Sequence, residues 1–464
     1  MNQISIQDLA VFNAGESLIS GLNFIASAGQ PVCIIGHTGA GKSLLANAIL
    51  GNLSTPLHAS GQVTLNQQVF DLSQPEQLTK LWGKQLALLP QEPWNALNPL
   101  LTAQQQVEDV SRYVLKQPAK QSQQTTALAL QQFGLAEANH KYPHQLSGGM
   151  AQRLAYCAAT MANPNCLLLD EPSKGLDQAL NQKLQQNIKQ LAQQSALIII
   201  THDLDLAAAL NGYLIVIEQG QVTEQGAASS LLNSPRSDYL QRLIQAQSKN
   251  WHNLKPELAT DKAQTELVKL TSVNQFYQSQ HVLKNIDLTL HAGEIIGLTG
   301  ESGAGKSSLG NIICGILKPN SGTVKFSPSL TKTDCQKVYQ DPPSAFANQL
   351  PLKTLLKDLT LLHKLSWQKV IALLNKLDLP ESLLERNRDQ VSGGELQRIA
   401  LLRVLLLKPK IIIADEAVSR LDPINAQKII TLLLDYVYTE QAGLIFISHD
   451  QQQISKICDR VIKL

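Results

Sequence analysis

Four short motifs occur twice in this chain, in the same order. GHTGAGKS at residues 36–43 returns as GESGAGKS at 300–307, and LSGGMAQR at 146–153 returns as VSGGELQR at 391–398. LLLDEPSKGLD at 167–177 returns as IIADEAVSRLD at 412–422, and IIITHD at 198–203 returns as IFISHD at 445–450. An ordered repeat of this kind is what a tandem duplication leaves behind. The 464 residues therefore read as one domain written twice. That agrees with the ~100–200 residues usual for a domain. The offset between copies falls from 264 at the first motif to 245 at the second and third, so the second copy is shorter between them. Most of that loss lies just after the first helix: Gln91 follows Lys42 by 49 residues, but Gln340 follows Lys306 by 34. By the same alignment Leu464 falls at Ile217, so no counterpart of the hairpin-like stretch LIVIEQGQVTEQG is expected in the second copy. The expected division is a first domain at 1–245, a polar linker with Pro256 at 246–265, and a second domain at 266–464.

Composition narrows the function classes. Hydrophobic residues make up 44% and charged residues 16%, which suits folded domains with real cores. A formal net charge of +2 gives no electrostatic case for a nucleic-acid partner. No apolar stretch is long enough to span a membrane, since residues 399–414 are broken by Arg403, Lys408, Pro409 and Lys410. The first residues carry no basic segment leading into a long apolar one, so no signal peptide is expected. Six cysteines without a CxxC pair suggest neither a disulfide framework nor a zinc site, and reduced thiols are expected.

The repeated motifs carry phosphate chemistry. G-x-x-x-x-G-K-[ST] at Gly36, Gly39, Gly41, Lys42 and Ser43 sits between an apolar strand-like run and a helical run. In that setting glycines let backbone N–H groups converge on phosphates at a helix N-terminus. Lys42 is expected to reach the β- and γ-phosphates and Ser43 to ligate magnesium. Gly300, Gly303, Gly305, Lys306 and Ser307 repeat the arrangement. Asp170 and Glu171 close an apolar run, as do Asp415 and Glu416. The first acid of each pair is expected to hold magnesium and the second to polarise the attacking water as general base. His202 and His449 follow the next apolar strands, 32 and 34 residues after those aspartates, and are read as γ-phosphate contacts. Ser147, Gly148 and Gly149, like Ser392, Gly393 and Gly394, open helical stretches 23 residues before each aspartate. They offer a second anion-binding helix start in each copy.

With these motifs in both halves, the sequence resembles the ATP-binding cassette (ABC) ATPases, and the SGG segments look like that family's signature. The resemblance implies an α/β fold: two tandem P-loop NTPase domains, each a RecA-like mixed sheet core with an antiparallel β arm and a helical signature subdomain. It implies two ATP with Mg2+, held head to tail: Lys42 and Ser43 with Ser392 to Gly394, and Lys306 and Ser307 with Ser147 to Gly149. Gln91 and Gln340 match the Q-loop glutamine that links magnesium to the transport partner. Asp177 and Asp422 match the D-loop, and Phe12 and Tyr277 the aromatic that stacks on adenine. Both halves keep Lys, Gln, Asp, Glu and His, which implies two hydrolytic sites.

Two functions are open within that resemblance. One is the ATPase of an importer, peripheral at the cytoplasmic face of the inner membrane, driving two transmembrane permease subunits fed by an extracytoplasmic solute-binding protein. The other is a soluble twin-cassette factor of the translation-associated (ABC-F) kind, against which stands the absence of a long charged arm between the halves. QEPWNALNP at 91–99 looks like the QxPxxxLNP stretch of the peptide/nickel importer ATPases, as does Ser234-Pro235 followed by Tyr239-Leu240. The DEAVS form at Asp415 and the SGGM form at Ser147 look particularly like the paired nickel-importer ATPases. Ala347-Asn348 departs from the Asn-Pro of that pattern, and neither tail carries the cysteine motif of several dipeptide-importer ATPases. Nickel or a metal–chelator complex is the first cargo expected, and short peptides the second.

Overall fold

The computed structural model describes residues 2–464 apart from 38, 92–95, 174–177, 253, 255–264, 278, 279, 302 and 420, and apart from the side chains of 178–180 and 332. The chain divides into two compact units, Met1–Ile244 and Gln245–Leu464. Part of the stretch expected as linker packs with the second unit. Trp251 is buried there and donates its indole N–H to the Ala246 carbonyl at 2.9 Å, and Ser248 donates to Asp450 at 2.6 Å. Pro256 lies outside the described residues.

The strands of the first unit are β1 (Gln3–Asn13), β2 (Glu16–Ser27), β3 (Val32–Gly36), β4 (Leu57–Leu65), β5 (Gln68–Asp71), β6 (Leu86–Leu89), β7 (Cys166–Asp170), β8 (Ala196–Ile200), β9 (Tyr213–Glu218) and β10 (Gln221–Ala227). They form two sheets. The arm, in order β2-β1-β4-β5, is antiparallel, and its strands bury one face, as in the alternating end of β2. The core sheet runs β10-β9-β3-β8-β7-β6, parallel except for the β9–β10 pair. VCIIG of β3, CLLLD of β7 and ALIII of β8 are buried at every position, which is how strands covered on both faces read. Between β6 and β7 the chain leaves the sheet for a helical subdomain that includes Ala103–Asp109, Ala119–Gln132 and Gly148–Thr160.

The second unit repeats the plan with β11 (Glu266–Tyr277), β12 (Gln280–His291), β13 (Ile295–Thr299), β14 (Ser321–Phe326), β15 (Cys335–Val338), β16 (Ile411–Asp415), β17 (Gly443–Ile447) and β18 (Arg460–Lys463). Its arm has three strands, β12-β11-β14, where the first unit has four. The strand equivalent to β5 falls in the stretch that the sequence offsets mark as shortened. Its core sheet, β15-β16-β17-β13-β18, is parallel at every pairing, and among the described residues no strand corresponds to the antiparallel β10. Leu352–Leu362, Trp367–Lys376 and Gly393–Leu406 form its helical subdomain.

Among the described residues no helix is long and apolar enough to cross a membrane. The six cysteines form no disulfide. Burial pushes the Cys33 thiol up to about 12, with the Asp203 charge adding to it, and burial alone does the same for Cys157. Such thiols stay protonated and inert.

Candidate functional site

Strand register assembles the first site. Ile34 of β3 pairs with Ile200 of β8, and Ile200 pairs with Asp170 of β7, so three strand ends lie in one row. The turns leaving those ends carry the candidate residues, at the carboxyl edge of a parallel sheet where α/β ligands sit. The second unit reproduces the row as Leu298, Ile447 and Asp415.

The phosphate loop follows β3. Gly41 takes φ +90° and caps the helix Lys42–Leu50, a left-handed turn that a side chain resists. A Cβ at Gly39, φ +88°, would meet nothing within 4 Å, so the loop is open on that side. Lys42 arches back over the loop, donating from Nζ to the carbonyls of Gly36 at 2.7 Å and His37 at 3.0 Å. Lys306 does the same to Gly300 and Glu301, both at 2.8 Å. Each ammonium is thereby held inside the loop concavity, where phosphate oxygens would gather. The shape and the donors suit a nucleotide's phosphates.

Ser43 donates its hydroxyl to Asp170 at 2.9 Å, bringing together two of the residues assigned to magnesium in that site. A hydroxyl and a carboxylate are the hard oxygen donors that Mg2+ takes when phosphates supply the rest. Among the described residues no three of His, Cys, Asp and Glu converge on one point, so the donor set suits that sparse coordination and not an all-protein cage.

Glu171 and Glu416 adopt φ +51° and +49°, in the left-handed region that costs a non-glycine residue roughly 1 kcal/mol. Their N–H groups hold the turn by donating to Ile200 at 2.8 Å and to Ile447 at 3.1 Å. The same left-handed turn is held at the equivalent residue of both units. Each carboxylate meets the histidine that was expected as a γ-phosphate contact. Glu171 Oε2 lies 2.9 Å from His202 Nδ1 and accepts from the His202 backbone at 3.3 Å. Glu416 Oε1 lies 2.8 Å from His449 Nε2, and Gln340 donates to Glu416 Oε2 at 2.7 Å. The second carboxylate is therefore held on both oxygens.

The SGG segments begin helices, as their composition predicts. Ser147 caps Gly148–Thr160 by accepting from Met150 N, and Ser392 caps Gly393–Leu406 by accepting from Glu395 N. Glu395 reaches back to the Ser392 N–H at 2.8 Å, closing a capping box. A Cβ at Gly148 or Gly393 would meet nothing within 4 Å, so both helix starts are open to an approaching group. Asp422 caps Pro423–Glu440, accepting from Asn425 N at 3.0 Å, whereas Asp177 lies outside the described residues. Gln91 lies shortly after β6, at the edge of residues 92–95, which are not described.

The aromatic pair differs from expectation. Phe12 stacks on His58 with ring centroids 5.4 Å apart. Hairpin register pairs Phe12 with Ser17 and Phe276 with His281, so the counterpart of Phe12 is Phe276, and Tyr277 stands at the place of Asn13. Tyr277 is 47% exposed, and its hydroxyl lies 3.0 Å from Ser308 on the phosphate-loop helix. Sequence reasoning missed Phe276, which the 264-residue offset of the loops points to directly.

The sequence model of a family described as "ABC transporter" matches residues 19–174 and 283–419. Among curated sequences, the "Uncharacterized ABC transporter ATP-binding protein YejF" of Escherichia coli (strain K12) is 29% identical, over 97% of this chain and 90% of that protein. The "Glutathione import ATP-binding protein GsiA" of Salmonella choleraesuis (strain SC-B67) is 29% identical, over 93% of this chain and 79% of that protein. Among solved structures, "RNase-L Inhibitor" superposes with a TM-score of 0.65 at 20% identity, covering 98% of this chain and 87% of that one, a likeness of fold alone.

Proposed function

The chain belongs to the ABC transporter family, and from that premise we propose that it is the ATP-hydrolysing subunit of an importer whose permeases are separate chains. It binds two ATP, one at the phosphate loop of each unit. It works at the cytoplasmic face of the membrane, on two permease subunits served by a solute-binding protein. The observation that carries the catalytic part is the paired geometry of Glu171 with His202 and of Glu416 with His449, each on a strained turn beside a phosphate loop.

The residues divide the work as follows. Lys42 and Lys306 compensate the β- and γ-phosphate charge from inside their loops. Ser43 and Asp170, and their counterparts Ser307 and Asp415, present oxygen donors to Mg2+, which when bound neutralises charge on the phosphates. Glu171 and Glu416 accept hydrogen bonds from the attacking water and draw its proton away. His202 and His449 fix those carboxylates by donating to them and stand next to the γ-phosphate position. Gln340 ties the second carboxylate to the segment at 340–348, the route by which the state of the nucleotide reaches a permease.

The importer names among the relatives support this reading, and the glutathione name favours a short peptide or glutathione over nickel as cargo. The nickel-type forms at Asp415 and Ser147 support nickel, the cargo that the sequence alone places first. Uptake by a strain lacking the gene tests both. Labelled glutathione or dipeptide uptake is expected to fall and to return with the wild-type chain, but not with the chain carrying both Glu171→Gln and Glu416→Gln. Loss of nickel uptake alone selects the metal cargo. Unchanged uptake of all three, with the chain sedimenting on ribosomes, replaces the importer reading with the soluble one.

A further inference from the structure

Two of the six thiols meet behind the second phosphate loop. Cys335 Sγ lies 3.4 Å from Cys314 Sγ, twenty-one residues away in the chain, and donates also toward the Ile313 carbonyl at 3.6 Å. Both side chains are half-buried, and the chain leaving Cys314 is open to solvent, with Gly315 exposed and Ile316 57% exposed. A disulfide holds its sulfurs about 2.05 Å apart, so an approach of about 1.4 Å would close one here.

The pair joins two elements of the second site. Cys314 ends the helix Lys306–Ile313, which starts at the phosphate loop, and Cys335 begins β15, which runs on toward Gln340. Side chains two apart on a strand share a face. Lys337, two residues beyond Cys335, donates to Asn311 of that helix at 2.8 Å and lies 2.8 Å from Asp415 Oδ2. Gln340 donates to Glu416 at 2.7 Å. The segment that starts at Cys335 therefore touches both acids of the site.

The first unit has leucines at these places. Cys314 follows Lys306 by eight residues, as Leu50 follows Lys42. Cys335 pairs with Ile411 across β15 and β16, as Leu86 pairs with Cys166 across β6 and β7. Ile411 and Cys166 each stand four residues before their aspartate. Leu50 and Leu86 are both buried in the first unit's core. Two leucines make an apolar contact; two thiols at the same places make a contact that can become covalent.

We propose that Cys314 and Cys335 are a redox-active dithiol, oxidised to a disulfide by a low-molecular-weight disulfide such as glutathione disulfide, and that closing the bond slows ATP hydrolysis at the second site. The effect on hydrolysis rests on the reading of that loop as an ATP site. The hydrogen bond to Cys314, together with burial, pushes the Cys335 thiol up, so Cys335 keeps its proton and Cys314 is the sulfur that attacks. Cys314 gives up its proton and attacks one sulfur of glutathione disulfide; that S–S bond breaks, and one glutathione leaves and takes a proton. Cys335 then loses its proton and attacks Cys314 Sγ, the mixed disulfide breaks, and the second glutathione leaves protonated. The two cysteines have lost two protons and two electrons, and glutathione disulfide has gained them as two thiols. Drawing the sulfurs together pulls β15 against the phosphate-loop helix and shifts the groups that hold Asp415 and Glu416. A misplacement of about 1 Å costs up to about 10²-fold in rate.

The test treats the reduced full chain with glutathione disulfide, maps the cysteines by peptide mass after alkylation, and follows ATP hydrolysis in parallel. The expected result is a peptide pair joined through Cys314 and Cys335, with turnover lowered by about tenfold or more and restored by dithiothreitol. Cys335→Ser is expected to trap glutathione on Cys314. A chain carrying Cys314→Leu and Cys335→Leu, the first unit's residues, is expected to keep its turnover under the same treatment; Cys314→Ser is a second, smaller change with the same expectation. Absence of the joined pair overturns the proposal, and so does a joined pair with unchanged turnover, or a fall in turnover that persists in both Cys314 variants. A reduced wild-type chain that hydrolyses no ATP overturns the ATPase reading and the regulatory half of the proposal with it, while the peptide masses still decide the pairing.

Discussion

A carboxylate becomes a general base through what surrounds it, and here the surroundings are a strained turn, a histidine and, in the second unit, a glutamine. Glu171→Gln removes the base while keeping the shape that meets His202 at 2.9 Å. General-base assistance contributes about 10²–10⁴ in rate, so steady-state ATP hydrolysis is expected to fall by about tenfold or more with this change alone, and likewise with Glu416→Gln alone. Near wild-type turnover in either variant would show that its unit does not hydrolyse. These residues were legible in the sequence because their spacing is local: an acid pair closes an apolar run and a histidine closes the next. Lys337 was not legible. Its partner Asp415 is nearly eighty residues away, and only the register of β15 against β16 brings them together. The signal that was present is a lysine in an otherwise apolar position of a buried strand, a pattern that demands a buried partner.

At the scale of elements, the parallel strands were readable as buried apolar runs, and the loss of the second arm's fourth strand was readable from the offsets. The clamp on the first unit's tail was not. Glu224 on β10 accepts from Arg236 N at 3.0 and 3.1 Å and from Ser237 N at 2.9 Å, fastening the stretch that leads into the helix Asp238–Gln245. Nothing in the sequence joins a strand glutamate to a turn twelve residues on. Desolvation of Glu224 opposes its ionisation, but the N–H donors of Ser237 and Arg236, aided by the Ser237 hydroxyl and the Arg236 charge, hold its carboxyl below the ordinary range. A lowered value means stability that is present above the unfolded carboxyl's pKa of about 4.3 and is lost as pH falls toward the folded value. Glu224→Gln is expected to destabilise the first unit by about 1–3 kcal/mol at neutral pH in urea unfolding, with the gap to wild type closing as pH falls below the ordinary carboxyl range. A gap that stays constant over that range would contradict the clamp.

At the scale of the molecule, the repeat limited what the chain can do more tightly than any single motif. One phosphate loop offers one binding site; two, each with its own acid pair, histidine and SGG helix start, are what the proposed cycle, in which ATP is bound and spent twice, requires. The units are not copies in detail. The second has a shorter arm, a wholly parallel core sheet and a lysine on its magnesium aspartate. Such asymmetry gives the two phosphate loops different surroundings on one polypeptide. The central claim is that both phosphate loops serve one magnesium-dependent ATPase, and steady-state ATP hydrolysis by the purified full chain tests it most directly. The account predicts saturable turnover that EDTA abolishes and that Lys42→Ala and Lys306→Ala each reduce by about tenfold or more. A folded chain that neither binds nor hydrolyses ATP, or one whose turnover is untouched by both lysine changes, would contradict it.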